Sequence, residues 1–239
     1  RYNTGCSLYF VVTCKKKGYQ VNSLMDEISK KYSLLKDYNV PRETLLEFEK
    51  FVEMLTEINK NINIISKKTS INEVIRERHI IDSAQAIDFV DLNSKTITDI
   101  GTGGGMPGIV VSIMIKKLKK SLKTKLYEKS HHKSAFLKKV SRDMQLNTEV
   151  IQENIFEQQN LESGTIMARA FKPLPVILEL IHRNFVSYKN VILFMGKNGD
   201  KILEEVQKNW NFDFEKKKSI TSEESFLLNI KNIKKIVKN

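Results

Sequence analysis

From Pro41 to about residue 61, Leu45, Phe48, Phe51, Val52, Leu55 and Ile58 recur at three- and four-residue spacing. That rhythm predicts an amphipathic helix with one apolar face, and Pro41 is suited to its start. A second helix is predicted over residues 71–89, burying Val74, Ile75, Ile81 and Ala84. The stretch between them, Asn59 to Ser66, is polar and turn-like, with Ser66 or Thr69 available as a cap. From Thr96 the pattern changes. Short apolar runs at residues 96–100, 122–127, 148–151, 165–168 and 190–195 alternate with helical segments at 107–117, 133–144, 174–185 and 201–210. Strands and helices alternating at this interval predict an α/β fold with a parallel sheet covered on both faces. Two further runs, 212–216 and 226–230, lack a helix between them and predict an antiparallel hairpin at the sheet edge. The whole makes a mostly parallel seven-stranded sheet with an N-terminal helical extension.

A chain of 239 residues that is 41% hydrophobic can bury a full core. It contains no apolar run of the roughly 20 residues a bilayer crossing requires. Forty basic residues against 28 acidic ones give a net charge of +12. A polyanion such as RNA accounts for that excess, and so does the codon bias of an AT-rich genome, which favours the Lys, Asn and Ile that fill this chain. Cys6 and Cys14 are the only cysteines. They form neither a disulfide framework nor a metal site, which suits a reducing cytoplasm. Residues 1–24 begin with Arg1 and place Lys15, Lys16 and Lys17 after a short apolar run, the reverse of a secretory signal. They are expected to be a non-native or disordered leader before Met25. Residues 25–92 then form the helical cap, and residues 93–239 the catalytic domain.

The strongest chemical signal is Asp99-Ile100-Gly101-Thr102-Gly103-Gly104-Gly105-Met106-Pro107-Gly108, where the first strand ends and a helix begins. Ligands of doubly wound sheets bind at that end of the strands, and glycines let a ligand approach without a Cβ in the way. Asp99 can order the loop or hold a cationic amino group. Two cofactor classes fit. Gly103-x-Gly105-x-x-Gly108 has dinucleotide spacing, with Glu128 placed 20 residues on for ribose hydroxyls. Acidic-x-Gly-x-Gly-x-Gly, met by Asp99, Gly101, Gly103 and Gly105, is the methyltransferase pattern and also uses Glu128. The acid directly before the glycines favours S-adenosylmethionine over a nicotinamide cofactor.

Four ordered blocks extend the comparison: Asn59-Lys60-x-x-Asn63-Ile64, Arg78-His79-Ile80-Ile81-Asp82-Ser83, the Gly-Thr-Gly-Gly-Gly-Met-Pro-Gly loop, and Ala168-Arg169-Ala170-Phe171. In their order and spacing the chain resembles the bacterial 16S rRNA guanine-N7 methyltransferases, historically called glucose-inhibited division protein B. The resemblance covers about 190 residues. It implies a class I S-adenosylmethionine-dependent methyltransferase with a Rossmann-like fold, acting on 16S rRNA or the small ribosomal subunit in the cytoplasm, without a metal. It also implies that Gly101 and Met106 contact the cofactor, that Glu128 meets the ribose, and that Ile155 and Phe156 flank the adenine. Arg169 matches an arginine at the cofactor and substrate, and is the one candidate catalytic residue. The family has Lys-Gly after the fifth strand where this chain has Met195-Gly196-Lys197, so a substrate role for Lys197 requires a shifted position.

Guanine N7 has an in-plane lone pair and no proton, so direct in-line attack on a sulfonium methyl needs no general base. Arg78, His79 and Phe171 join Lys197 as candidate substrate contacts. His79 can equally brace a helix through local hydrogen bonds, Asp82 stands four residues from Arg78 as its partner, and Phe171 can serve the core or stack on a base. His131 and His132 read as solvated, and the lysines from Lys116 to Lys125 as a wet surface. The competing functions are a methyltransferase with another target and a non-catalytic RNA-binding assembly factor.

Overall fold

The computed structural model of the chain describes residues 18–66, 70–118 and 121–237. Helix α1, Gly18–Lys31, leads through a 3-10 turn at Ser33–Tyr38 to α2, Arg42–Asn59. The predicted apolar face of α2 is buried, with Phe48, Phe51 and Leu55 wholly inaccessible. Helix α1 spans the boundary drawn at Met25, while Cys6 and Cys14 lie outside the described residues. Helix α3 is composite: α-helical at Asn72–Ile75, π-helical at Arg76–Ile81, α-helical at Asp82–Ala84 and 3-10 at Gln85–Phe89. Its N-cap is Ile71, with no side-chain cap, so Ser66 does not serve as the expected cap; Thr69 lies outside the described residues. Arg76 clamps Glu49 through two hydrogen bonds of 2.7 Å, and Tyr32 donates to the same carboxylate at 2.7 Å. This triad joins α1, α2 and α3 into one cap.

The strands are β1 (Thr96–Ile100), β2 (Lys123–Tyr127), β3 (Thr148–Ile151), β4 (Leu161–Glu162), β5 (Thr165–Ala168), β6 (Phe185–Ser187), β7 (Asn190–Met195), β8 (Trp210–Lys218) and β9 (Phe226–Lys235). Seven form one sheet in the order β3-β2-β1-β5-β7-β9-β8. The four pairings from β3 to β7 are parallel, and β9 runs antiparallel between β7 and β8. The tail hairpin therefore completes the sheet as predicted, with β8 rather than β9 at the edge. The β4–β6 pair is a separate parallel bridge; strands of two and three residues are too short to show alternation in a sequence.

Helices α4 (Gly108–Ile115), α5 (His131–Asp143), α6 (Leu174–Asn184) and α7 (Gly199–Gln207) alternate with the strands. Helix α4 is buried along all eight residues, lying between sheet and cap, which is why it is apolar all round. The cap, α4 and α5 share one core, while α6 and α7 pack a second core on the opposite face. Strand order diverges on either side of β1, between β2 and β5. The crevice of a doubly wound sheet opens at this switch point, so the glycine loop after β1 and the turn after β5 face each other there.

Candidate functional site

The loop from Gly101 to Pro107 turns through left-handed backbone at Gly101 (φ 69°), Gly103 (φ 59°) and Gly105 (φ 97°). At Gly101 a Cβ would stand 2.0 Å from the Phe171 ring, so only glycine lets that ring lie on the loop. At Gly103 a Cβ would meet nothing nearer than 3.9 Å, because this position faces open cleft. Beneath the loop, Asp99 is wholly buried and its Oδ2 accepts the Gly108 amide at 2.7 Å, while its Oδ1 has no partner among the described residues. Burial pushes its carboxyl up to about 7, against the opposing hydrogen bonds. Asp99 thus orders the loop and does not line the cleft, and Gly105 is likewise buried beneath it.

The cleft has a volume of about 650 Å³, within the usual range of small-molecule sites. Glu128, at the end of β2, accepts the Gly103 amide at 3.0 Å through Oε2 and the Ser130 amide at 2.8 Å through Oε1. A carboxylate has about four acceptor positions, so Glu128 can hold the loop and still take ribose hydroxyls. Ile155 and Phe156 follow β3 on the cleft wall, and Phe156 stacks on Phe171 with centroids 5.9 Å apart. Gly101, Gly103, Met106, Arg169 and His79 also face this cavity. Sequence reasoning missed Ile64 and Ile65 as lining residues. Asn59 Oδ1 accepts both of their amides, at 2.8 and 3.0 Å, and so folds the segment back until the two side chains meet Gly104. The Asn59-Lys60-x-x-Asn63-Ile64 block carried that signal, because a side-chain carbonyl five residues before two apolar positions can cap them. Lys129, Lys133 and Lys172 at the mouth were also missed.

Arg169 extends from the end of β5 into the cap. Its guanidinium pairs with Asp82 at 3.0 Å, donates to Ser83 Oγ at 3.4 Å and also bonds the Arg78 carbonyl. Asp82 further accepts from Thr221 Oγ1 at 2.9 Å, Ser219 Oγ at 3.2 Å and Gln85 Nε2 at 3.1 Å. The expected Arg78–Asp82 pair does not form: the π-helical turn places Arg78 outward and exposed, and Asp82 serves the buried arginine. Arg169 donates to His79 Nδ1 at 3.5 Å. A guanidinium only donates, so Nδ1 is the acceptor and the neutral ring carries its proton on Nε2. That atom is buried and, among the described residues, has no partner. Burial above all, and then Arg169 and Arg78, push the His79 pKa down to about 4. Lys197 lies outside the lining of this cleft and pairs with Glu224 at 2.9 Å, both exposed. His131 and His132 are exposed at the start of α5.

Dinucleotide-binding sheets run 3-2-1-4-5-6, whereas here an antiparallel strand is inserted beside β7 and an acid sits directly under the glycine turn. That combination defines a class I S-adenosylmethionine-dependent methyltransferase. A mutant of MtNAS shares the fold, with a TM-score of 0.51, 14% identity, and coverage of 90% of this chain and 78% of that one. The model of the rRNA small subunit methyltransferase G family matches residues 44–230, and the chain belongs to that family. Ribosomal RNA small subunit methyltransferase G of Pelagibacter ubique (strain HTCC1062) is 72% identical over 211 residues, spanning 88% of this chain and 99% of that protein. The protein of the same name from Rickettsia felis (strain ATCC VR-1525 / URRWXCal2) is 34% identical over 199 residues, spanning 83% of this chain and 98% of its own length.

Proposed function

We propose that this chain methylates N7 of one guanine in 16S ribosomal RNA, within the small ribosomal subunit or its precursor in the cytoplasm. The observation that carries the reading is the 72% identity to a ribosomal RNA small subunit methyltransferase along 99% of that protein's length. Gly101, Gly103, Met106 and Glu128 hold the cofactor, with Ile155 and Phe156 at its adenine and Asp99 and Gly105 supporting the loop from below. The cradle fits: its open Gly103 position is the space a Cβ would fill. S-adenosylmethionine supplies an electrophilic sulfonium methyl when bound.

What the cleft offers supports the choice of N7. Both oxygens of Glu128 are engaged with backbone amides, and His79 is a weak base held by Arg169. Neither is suited to take a proton from an exocyclic amine, the remaining carboxylate of the lining, Glu153, is solvent-exposed, and N7 has no proton to lose. The major-groove edge of guanine presents N7 and O6 as acceptors. His79 Nε2–H, a buried donor without a partner among the described residues, suits O6, and Phe171 offers a ring for the base to stack on. Arg169 is a positioning group here. Asp82 balances its charge at 3.0 Å, so the guanidinium does not oppose the positive charge that develops on the methylated base.

Incubation of purified protein with labelled methyl donor and small-subunit particles tests this, followed by borohydride–aniline cleavage mapping. Cleavage at one guanine is expected. Label incorporated without cleavage would move the methyl to another atom. Donor binding with no label in RNA would make the chain an assembly factor that keeps the fold.

A further inference from the structure

Beside the cofactor cleft lies a second one, of about 610 Å³, and the two share a wall made by Arg169 and Ala170. Ala170 holds a left-handed backbone (φ 49°) without being glycine, a conformation that costs on the order of 1 kcal/mol or more. The strain makes a sharp ridge, with Phe171 turned over Gly101 on one side and the second cleft on the other. Phe194, half-buried near the end of β7 and paired across the strands with Leu227, lends this cleft an aromatic ring. Its lining also offers hydroxyls, among them Ser222 and Ser225, the second donating to the first at 3.1 Å. On its rim the Arg78 guanidinium is exposed and, among the described residues, has no ion-pair or hydrogen-bond partner; Glu77 shares that rim. Asp82, also at the cleft, is fully engaged by Arg169 and the hydroxyls of Ser219 and Thr221.

We propose that this second cleft binds a nucleotide of single-stranded RNA adjoining the target guanine. Its base rests on Phe194, its ribose faces the hydroxyls, and its phosphate meets Arg78. The proposal rests on the ribosomal RNA reading above and adds a subsite to it. Three features select this occupant. A cavity the size of the first, filled by a nucleoside-sized donor, leaves no room for the strand that carries the target base. A nucleotide is apolar on its base face and polar along its ribose-phosphate edge, and the lining of this cleft offers groups of both kinds. Single-stranded RNA is bound through base stacking combined with backbone contacts.

Two variants test the assignment: Ser225→Trp, which fills the cleft, and Arg78→Glu, which reverses its one free cation. Donor affinity is measured by calorimetry, and the KM for small-subunit particles by methyl transfer. Both variants are expected to bind S-adenosylmethionine within about twofold of the parent and to raise the KM for RNA at least tenfold. An unchanged KM for RNA in both variants would overturn the subsite. A parallel loss of donor affinity would also overturn it, by making the cleft part of the cofactor site. A parent protein that binds donor yet labels no small-subunit RNA defeats the reading beneath the proposal, and that result is visible before any variant is made.

Discussion

Gly103 combines a left-handed backbone of φ 59° with an open face toward the cofactor cleft. An aspartate tolerates that backbone better than most side chains, so Gly103→Asp should fold. Its carboxylate would enter the donor's space, and its charge would stand near Glu128, which accepts the amide of residue 103 at 3.0 Å. The expected outcome is loss of detectable S-adenosylmethionine binding by calorimetry, with a melting temperature within a few degrees of the parent. Donor binding at parental affinity would show that the loop is only a turn. Asp99 makes a different prediction. Its folded-state pKa, about 7, lies above the ordinary carboxylate value because burial disfavours the charge. The native state therefore binds more protons than the unfolded chain between about pH 4 and pH 7, and stability falls as pH rises through that window. The loss is at most about 4 kcal/mol. Asp99→Asn keeps an acceptor for the Gly108 amide and removes the ionisation. Urea unfolding at pH 5 and pH 8 should therefore give a smaller difference for the variant than for the parent. An identical pH dependence would mean that Asp99 is not the group responsible.

Among the elements, the composite helix α3 is latched to the sheet at Asp82, alongside the Asp88–Lys217 pair and the bond from Asn190 to the Phe89 carbonyl. Asp82 receives Arg169 from the turn after β5 and Ser219 and Thr221 from the β8–β9 connection. Removing one partner of a largely buried, hydrogen-bonded pair costs about 3–5 kcal/mol, and the side chains of Arg169 and Asp82 are 18% and 15% exposed. Asp82→Ala should thus free the cap before the sheet: amides of α3 should exchange faster while those of β1 and β5 stay protected. Uniform acceleration across the chain would place the latch in the global core instead. This latch was only half legible in the sequence. Spacing of four along a regular helix pointed from Arg78 to Asp82, but the π-helical turn at Arg76–Ile81 changes which side chains share a face. No periodicity reports such a turn. The strands and the α2 face were legible because burial imposes period 2 or 3.6 on their residues. The glycine loop was legible because a left-handed backbone restricts residue type. Ile64 and Ile65 were legible only through Asn59, whose side-chain carbonyl caps their amides; the mouth lysines were not, since they reach the cleft through tertiary contacts that leave no local pattern.

At the scale of the molecule, the +12 charge left open whether basicity reflects a polyanion or only codon use, and position now discriminates. Within the lysine-rich stretch, Lys116 pairs with Glu47 at 3.0 Å and Lys123 with Glu149 at 3.5 Å. Lys235, at the far end of β9 from the second cleft, pairs with Glu179 at 2.8 Å. Lys129, Lys133 and Lys172 surround the cofactor cleft and, among the described residues, have no ion pair or hydrogen bond. Cations already paired with carboxylates release few counterions from RNA, whereas free ones at the cleft mouth release more. Each phosphate contact to a single strand steepens the salt dependence of binding by about 0.7 in log–log slope. Replacing the three free lysines with alanine should flatten the slope for small-subunit RNA by about 2 and weaken binding at low salt, with donor affinity retained. Replacing Lys116, Lys123 and Lys235 should change the slope by less than half as much. Equal effects from the two sets would return the charge excess to composition and leave the cleft mouth without a special claim on RNA.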